Sequence, residues 1–524
     1  MKKLPIGIQT FSEIRNSDYI YVDKTMYVHQ VVTDGKYYFL SRPRRFGKSL
    51  LISTLMSLYK GEKELFEGLW IEDRWDWDRR NPVIHIPFSY LDYQYEGLAN
   101  ATVQRMQEIG QEYGMEIGAD NPKAAFQELI KKLHAEYGKV AILIDEYDKP
   151  IIDYLGDEIE QAKENQQTLK TFYSVIKDAD PYIELLFITG VSKFSKVSIF
   201  SDLNNLNDIT MKAPYNDLLG YTQQELEADF APLLEKLAEE QGMGLEETLL
   251  TVREWYNGYN WTGRNTLYNP FGILNLFDGM DFRNYWFATG TPTFLIDALK
   301  EQALYDVEGT EVGQRAFDSF EVKRDLALVP LLFQTGYLTI KEITEDRSYI
   351  LGYPNREVKQ SFLDYLLAGY SANGASQITP MILQLRNAFR KNDLELAMNL
   401  SNQLFRNLPH QLHAKTEQFY HAIIHLMYFY LGLYIESEVN TAFGRADSVV
   451  QTATHVYCFE FKFNQGTDAA IEQIKRRGYM GKYAHTGKEV LGLGVNFTAE
   501  GKGITAWKVL TADGELSEER AVSF

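Results

Sequence analysis

The chain has 524 residues, a formal net charge of −19 and a single cysteine, and 45% of its residues are hydrophobic. This acidity argues against general coating of nucleic acid, which depends on neutralising phosphates, so any such contact must be local. One cysteine excludes an intramolecular disulfide framework and predicts a cytoplasmic location, and no apolar run reaches the ~20 residues that cross a bilayer, so no membrane partner is expected.

The first recognisable element is a phosphate-binding loop between a predicted strand at 37–40 and a helix that opens at Gly47-Lys48-Ser49. Free N–H groups at a helix start suit an anion. We predict that Arg45, Gly47, Lys48 and Ser49 bind ATP, that Lys48 reaches the β and γ phosphates, and that the Ser49 hydroxyl coordinates Mg²⁺. Arg42 stands where the usual motif has its first glycine.

Residues 1–36, ahead of this loop, contain the segments Ile6-Gly7-Ile8 and Tyr21-Val22-Asp23-Lys24-Thr25. This region is placed either to lie against a nucleotide base or to form an edge strand.

An acidic strand end follows at Lys139–Asp148, where an apolar run stops at Asp145 and Glu146. Such runs are typical of strands that are buried on both faces, and their last residues emerge at the carboxyl edge of a parallel sheet. We predict that Asp145 holds Mg²⁺ through its water shell and that Glu146 orients or deprotonates the attacking water. Another predicted strand, 182–188, ends at Thr189, which we expect to sense the γ phosphate.

The middle region, 216–370, is predicted to be a helical lid with a winged-helix-like part. Thr222 and Glu225 form a capping box for its first helix, and Leu332–Ile340 with Ser348–Tyr353 are expected to form a hairpin. Arg253 and Arg264 are both candidates for an arginine finger, and the sequence does not choose between them. The polar segment 371–377 is the expected linker to the last domain.

The C-terminal region centres on the predicted strand His455–Phe463, in which alternate residues share a face. Glu460 and Lys462 therefore stand side by side, and Asp447 comes alongside if 447–452 forms the adjacent hairpin strand. Two carboxylates and an ammonium predict a Mg²⁺ site for phosphodiester hydrolysis. A solvated Glu/Lys pair is the alternative.

A basic helix is predicted directly after this strand. Its side chains and a following tyrosine are expected to meet the nucleic-acid backbone: Gln473, Lys475, Arg476, Arg477 and Tyr479.

Taken together, the chain resembles bacterial proteins that join an AAA-ATPase-like P-loop domain to a C-terminal PD-(D/E)XK nuclease domain. The resemblance rests on the motifs Tyr21–Thr25, Arg42–Ser49, Leu143–Asp148, Thr189-Gly190, Trp255–Tyr259, Tyr268–Pro270, Tyr285–Gly290, Gly444–Asp447, Glu460–Lys462, and Gln473 with Tyr479. Arg42 is shared with that family's usual loop.

The resemblance implies an α/β fold in three parts: a P-loop NTPase domain with a doubly wound parallel sheet at 1–215, the middle region at 216–370, and a nuclease-like α/β domain at 378–524. It also implies that Asp447 and Glu460 ligate metal and that Lys462 is the catalytic lysine. Glu417 is the first candidate for a further metal ligand, and Glu438 is the second.

Two functional hypotheses follow. In the first, ATP binding and hydrolysis with Mg²⁺ gate a metal-dependent nuclease that acts on nucleic acid, with DNA as the first expectation and RNA left open. In the second, the chain is a nucleotide-switched regulatory protein whose nuclease-like domain only binds nucleic acid or a protein partner. Assembly into a homo-oligomer is left open by the sequence.

Overall fold

The computed structural model describes residues 2–155, 158–193, 200, 205–286, 299, 307–317, 328–369, 377–406, 417–432, 436–439, 447–498 and 503–522. The chain divides into two compact units, the first formed by Met1–Gly290 with Val307–Val358 and the second by Thr291–Asp306 with Lys359–Phe524. No helix within the described residues is long and apolar enough to cross a membrane.

The first unit is built on a five-stranded sheet with order β2-β3-β4-β1-β5, in which every neighbouring pair is parallel. The strands are β1 (Tyr37–Ser41), β2 (Val83–Pro87), β3 (Val140–Asp145), β4 (Ile183–Gly190) and β5 (Asn207–Asp208). Every residue of β1 and β3 is buried, as expected for apolar runs covered on both faces. The predicted parallel sheet is confirmed, and the carboxyl ends of β1, β3 and β4 meet at one edge.

Helices and short 3-10 turns connect these strands. They are α1 (Phe11–Asn16), α2 (Thr25–Asp34), α3 (Lys48–Lys60), α4 (Tyr93–Glu96), α5 (Leu98–Glu112), α6 (Pro122–Tyr137), α7 (Lys149–Ile152), α8 (Ile159–Tyr173) and α9 (Val175–Asp178), with 3-10 turns at Lys63–Phe66, Asp180–Tyr182 and Ala213–Leu218. The core against α3 is formed by aliphatic and aromatic side chains of β1 and β3.

The middle region contains the predicted helices. They are α10 (Gln223–Asp229), α11 (Ala231–Gln241), α12 (Leu245–Tyr256), α13 (Pro270–Gly279), α14 (Leu328–Thr335) and α15 (Arg356–Gly369), with a 3-10 turn at Gln314–Phe317. The capping box of Thr222 and Glu225 at the start of α10 is confirmed. Asn269 caps α13, whose first residue is Pro270.

One secondary-structure prediction in this region was wrong. Leu332–Thr335 lies in α14 rather than in a strand, and the hairpin is made by β7 (Thr339–Ile343) and β8 (Tyr349–Gly352), with β6 (Thr310–Val312) on the other side of β8. Gly336 adopts a φ of +90° directly after the helix. A glycine in this left-handed conformation ends a helix, so the apolar run is divided between two elements.

The second unit contains a six-stranded sheet with order β14-β13-β12-β11-β10-β9. Its strands are β9 (Glu436–Val439), β10 (Ser448–Gln451), β11 (His455–Phe463), β12 (Glu489–Thr498), β13 (Gly503–Thr511) and β14 (Arg520–Ala521), and its helices are α16 (Ile378–Arg390), α17 (Leu394–Arg406), α18 (Glu417–Leu431) and α19 (Thr467–Arg477), followed by a 3-10 turn at Tyr479–Tyr483. Only β11 and β12 pair in parallel; the other pairs are antiparallel. The predicted linker falls largely on 371–376, outside the described residues, and the predicted domain boundaries stay predictions.

Candidate functional site

The phosphate-binding loop connects the end of β1 to the start of α3, as predicted. Gly47 has a φ of +92° and Arg45 a φ of +66°, so the loop turns sharply through left-handed conformations before the helix begins at Lys48. Gly47 is suited to this position because glycine adopts positive φ without the steric cost that a side chain brings. The first N–H groups of α3 therefore face the loop, where an anion can accept from them.

A cavity of about 430 Å³ opens beside this loop. Its polar wall comes from the loop, the start of α3 and the turn after β3, and its apolar wall comes from the N-terminal segment and from α13. The polar wall includes Arg44, Arg45, Gly47, Lys48, Ser49, Glu146, Asp148, Lys149 and Asp153, and the apolar wall includes Pro5, Ile8, Tyr221, Phe271 and Leu274. A cavity of this size with one charged end and one apolar end fits a nucleotide.

The Lys48 side chain is held by main-chain carbonyl groups of the loop. Its Nζ donates to the main-chain oxygens of Arg42 and Pro43, at 2.9 and 2.8 Å. Burial lowers the pKa of Lys48, while the carboxylates of Asp145 and Glu146 act in the opposite direction. The ammonium therefore stands between two loop carbonyls and an acidic cluster, at the polar end of the cavity.

Asp145 and Thr189 lie at the ends of adjacent strands and bind each other. The Thr189 hydroxyl donates to Asp145 Oδ1 at 2.5 Å, and the main-chain N–H of Glu146 donates to the same oxygen at 3.1 Å. Neither Asp145 nor Thr189 is among the described residues that line the cavity, whereas Glu146 is. Glu146 has a φ of +52°, a strained backbone conformation for a residue with a side chain.

Asp148 is a residue of this site to which the sequence analysis assigned no role. Its Oδ2 accepts from the main-chain N–H of Val191, at 3.0 Å, and from both the N–H and the hydroxyl of Ser192, each at 2.6 Å. A Cβ at Gly190 would lie 2.8 Å from Asp148 Oδ1, so this position requires glycine. The sequence contained a signal for this role, because Asp148 is the third acid of the group that begins with Asp145 and Glu146. Its partners belong to the segment Gly190-Val191-Ser192, which ends the adjacent strand.

The loop residues Arg42, Pro43 and Arg44 are each held by the middle region. The Arg42 guanidinium lies 4.2 Å from the centre of the Trp261 ring, and its Nη1 donates to the main-chain oxygen of Thr210 at 2.8 Å. This explains why an arginine replaces the usual glycine: Arg42 is a buried anchor and is not one of the described residues lining the cavity.

Two further contacts complete this attachment. Pro43 packs so closely on Gly336 that a Cβ there would lie 2.6 Å from the proline ring. The main-chain oxygen of Arg44 accepts from Trp286 Nε1 at 3.0 Å and from Asn269 Nδ2 at 3.4 Å. Among the described residues that line the cavity, the arginines are Arg44 and Arg45, and Arg253 and Arg264 are absent.

The second unit brings Asp447 beside Glu460, as predicted. Strand β10 pairs antiparallel with β11, with Ser448 opposite Phe459, which confirms the hairpin. The main-chain N–H of Asp447 donates to Phe459 O at 3.0 Å, and Asp447 Oδ2 accepts from the N–H of Phe461 at 2.8 Å. The Asp447 carboxylate is thus fixed against the backbone between Glu460 and Lys462.

Glu460 is a buried carboxyl group, 1% exposed, and not part of a solvated pair. Its Oε1 lies 2.8 Å from Lys462 Nζ, while its Oε2 is buried with no hydrogen-bond partner in the described part of the chain. Burial raises the pKa of Glu460 to about 7, the Asp447 charge adds to this rise, and Lys462 and the Tyr479 hydroxyl oppose it. Carboxylate oxygens are ligands that a hard cation such as Mg²⁺ prefers, so the two carboxylates form a suitable pair of donors.

Lys462 is positioned by residues of α19 and the turn that follows it. Its Nζ donates to Gln473 Oε1 at 2.9 Å, and Gln473 Nε2 donates to the Tyr479 hydroxyl at 3.2 Å. Gln473 and Tyr479 therefore belong to the Lys462 network, and their predicted contact with nucleic acid stays a prediction. Lys475, Arg476 and Arg477 form the exposed last turn of α19.

The donor set can hold Mg²⁺ through Asp447 and Glu460. No group of three metal-ligating His, Cys, Asp or Glu side chains occurs within the described residues. The predicted third ligand, Glu417, begins α18, and the alternative, Glu438, lies on β9; both side chains are outside the described set.

Comparison with known proteins matches both halves of the chain. Residues 5–200 match the family model of a predicted AAA-ATPase, and residues 415–507 match the model of the PD-(D/E)XK nuclease superfamily. The chain is similar to "Uncharacterized protein in vnfD 5'region" from Azotobacter chroococcum mcd 1, with 41% identity over 523 residues that cover 97% of this chain and 99% of the relative. No solved structure matches at a significant level.

Proposed function

The chain belongs to the family that joins an AAA-ATPase-like domain to a C-terminal PD-(D/E)XK nuclease domain, and from this premise we propose that it is an ATP-controlled, Mg²⁺-dependent nuclease. The observation that carries the nuclease half is Glu460, a buried carboxyl beside the fixed carboxylate of Asp447. One Glu460 oxygen lies on Lys462, and the other has no hydrogen-bond partner among the residues that the structure describes.

At the nuclease site, Asp447 and Glu460 would hold Mg²⁺. When bound there, the ion supplies positive charge to the phosphate oxygens and lowers the pKa of a coordinated water. Lys462, held by Glu460 and Gln473, orients a water for attack and stabilises the negative charge that develops on the phosphodiester. The exposed turn of Lys475, Arg476 and Arg477 binds backbone phosphates of the substrate.

At the nucleotide site, the cavity beside the loop receives ATP, with the base on the apolar wall and the phosphates at Lys48. Lys48 exchanges the carbonyls of Arg42 and Pro43 for phosphate oxygens. Ser49 would hold the accompanying Mg²⁺ directly, and Asp145, which does not line the cavity, would hold it through the water shell of the ion. Glu146 faces the cavity and accepts a proton from the attacking water. The Thr189 hydroxyl lies at the end of the next strand and donates to Asp145. From this position Thr189 senses the γ phosphate.

Nucleotide control of cleavage is part of the proposal. Its support is that the loop is held by four distant parts of the first unit, at Trp261, Gly336, Asn269 and Trp286. A ligand that moves the loop must change those contacts, and this is how a γ phosphate switches a larger element.

The proposed protein is cytoplasmic, acts on DNA and assembles with copies of itself. A lone buried cysteine suits a reducing compartment. The net charge of −19 suits a substrate held only at local basic patches.

A direct experiment measures two products from purified full-length protein: phosphate released from ATP, and cleavage of single- and double-stranded DNA and RNA. Each is measured with and without Mg²⁺, and cleavage is also measured with and without ATP. The proposal requires Mg²⁺-dependent cleavage whose rate changes with ATP. ATP binding without cleavage of any substrate would favour the nucleotide-switched binding protein instead.

A further inference from the structure

The carbonyl of the loop residue Arg44 is held by a residue that follows it by 242 positions in the chain. The indole Nε1 of Trp286 donates to this oxygen at 3.0 Å, and Trp286 is 6% exposed. Arg44 itself lines the nucleotide cavity. The position of one wall of that cavity therefore depends on where Trp286 lies.

Trp286 is held in turn by a buried acid. Its main-chain N–H donates to Glu357 Oε1 at 2.6 Å, and Glu357 is 0% exposed. The other oxygen, Oε2, has no hydrogen-bond partner in the described part of the chain, and burial raises the pKa of Glu357 to about 8. The main-chain N–H of Tyr285 also bonds to this carboxyl group, and it opposes the rise in pKa as the Trp286 N–H does. Burying a carboxyl group costs free energy relative to burying an apolar side chain.

Glu357 also approaches the helix that forms the apolar wall of the cavity. A Cβ at Gly272, in α13, would lie 3.4 Å from Glu357 Oε2 and 3.2 Å from the Tyr256 ring. The neighbouring residue Phe271 lines the cavity. Glu357 thus bonds to Trp286, which holds the polar wall, and lies close to Gly272 of the helix that forms the apolar wall.

Trp286 and Glu357 both lie close in sequence to the positions where the chain passes from one unit to the other. Trp286 lies shortly before Gly290, the last residue of the first segment of the first unit, and Glu357 directly precedes Val358, the last residue of its second segment. Helix α15, which contains Glu357, continues from Arg356 to Gly369 and so extends past that point. The hydrogen bond from Trp286 to Glu357 therefore joins the two chain segments that leave the nucleotide-binding unit.

We infer that Arg44, Trp286 and Glu357 form a clamp that positions the loop for the nucleotide and transmits the state of the loop to these two segments. This inference rests on the proposed function. Bound phosphates draw Lys48 away from the carbonyls of Arg42 and Pro43, and the adjacent carbonyl of Arg44 moves with the loop. Trp286 follows that carbonyl because its indole N–H donates to it, and Trp286 carries the motion to Glu357.

The clamp is tested with full-length variants and a fluorescent ATP analogue. Trp286→Phe removes the indole donor and keeps an aromatic ring, and Trp77→Phe is the matched control because Trp77 Nε1 also donates to a main-chain oxygen, that of Glu72 at 2.7 Å, and Trp77 does not line the cavity. The loss of one such hydrogen bond predicts roughly a three- to tenfold weaker Kd for Trp286→Phe and no change for Trp77→Phe.

Glu357 offers a conservative comparison, in which the effect of ATP on cleavage is the readout that a purely structural role would leave unchanged. Glu357→Gln keeps an oxygen acceptor for the Trp286 N–H and should bind the analogue as wild type does, whereas Glu357→Leu, of similar size, should weaken binding as Trp286→Phe does. The effect of ATP on the cleavage rate should fall in the same two variants. Wild-type affinity and wild-type ATP control in both would overturn the inference.

A measurement on wild-type protein needs no substitution. Hydrogen exchange with and without saturating ATP should show altered protection at the Trp286 main-chain N–H and at the start of α15, as well as in the loop. Altered exchange in the loop alone would contradict the clamp. If wild-type protein binds no nucleotide at all, the proposed function fails first, so the two failures are distinguishable.

Discussion

The hydroxyl of Thr189 donates to Asp145 Oδ1 at 2.5 Å, and this bond joins the ends of two adjacent parallel strands. The predicted γ-phosphate sensor and the predicted Mg²⁺ ligand are therefore one hydrogen-bonded pair. Thr189 can orient the carboxylate of Asp145 before any nucleotide binds.

Thr189→Val should lower the rate of ATP hydrolysis by on the order of tenfold, because the buried Asp145 loses a hydrogen bond and its orientation. Thr189→Ser keeps the hydroxyl and should retain most of the activity. Phosphate release at saturating ATP measures the effect. Equal rates for the valine and serine variants would show that the hydrogen bond has no role in turnover.

Lys48→Ala and Glu146→Gln should affect different steps. Lys48→Ala removes the ammonium that reaches the phosphates and should abolish nucleotide binding, whereas Glu146→Gln should bind ATP and lose turnover. If nucleotide controls the nuclease, these variants should change the cleavage rate in opposite directions, since one stays empty and the other stays loaded. Cleavage at the wild-type rate by both, with and without ATP, would show two independent activities on one chain.

The buried acid Glu357 predicts a pH dependence of stability in the first unit. Because burial raises its pKa from 4.5 to about 8, its protonated form is favoured in the folded state. The stabilising contribution of the proton is complete below pH 4.5 and is lost as pH rises toward 8. The titratable side chains that face it, Tyr256, Tyr259 and Tyr285, have raised pKa values, caused first by burial, and stay neutral across this window.

Glu357→Gln removes this titration. The Tm of the wild-type protein should therefore fall relative to the Tm of the glutamine variant as pH rises from about 5 to about 8. Thermal unfolding at several pH values measures this difference. Parallel Tm curves for the two proteins would indicate that Glu357 does not titrate in this range.

Much of the arrangement of the candidate sites could be predicted because it depends on local patterns. The alternation of residues in β11 placed Glu460 and Lys462 on one face, and Asp447 was expected beside them on the condition that 447–452 forms the adjacent hairpin strand. The loop, the apolar run before Asp145 and the capping box at Thr222 are likewise properties of neighbouring residues. For such features the periodicity of the side chains is sufficient.

What could not be predicted depends on contacts between distant segments. The packing of Arg42 on Trp261 and the hydrogen bond from Trp286 to Arg44 leave no periodic signal, because each partner is ordinary in its own local sequence. The apolar stretch Leu332–Ile340 was misassigned for a related reason. An apolar run can fill a helix or a strand, and only the left-handed turn at Gly336 divides it.

Lys462→Met should separate catalysis from metal binding. The methionine keeps the apolar stem and removes the ammonium that pairs with Glu460, so cleavage should fall by about a hundredfold or more while Mn²⁺ binding, measured by calorimetry, remains. Lys488→Met is a suitable control, because Lys488 contacts Gln451 on the same sheet and lies outside the Lys462 network. An equal loss of activity in both variants would point to a general effect of lost charge.

The central claim is tested most directly by the Mg²⁺-dependent cleavage rate of Glu460→Gln compared with wild type and with Glu489→Gln. Glu489 is an exposed glutamate at the start of the strand next to β11, so its variant controls for loss of a carboxylate from the same sheet. The proposed mechanism predicts cleavage by wild type and by Glu489→Gln, and a loss of at least about a hundredfold in Glu460→Gln, because one metal ligand and the partner of Lys462 are changed together. Cleavage by Glu460→Gln at the wild-type rate would contradict the proposed mechanism. So would the absence of Mg²⁺-dependent cleavage of any nucleic acid by the wild-type protein.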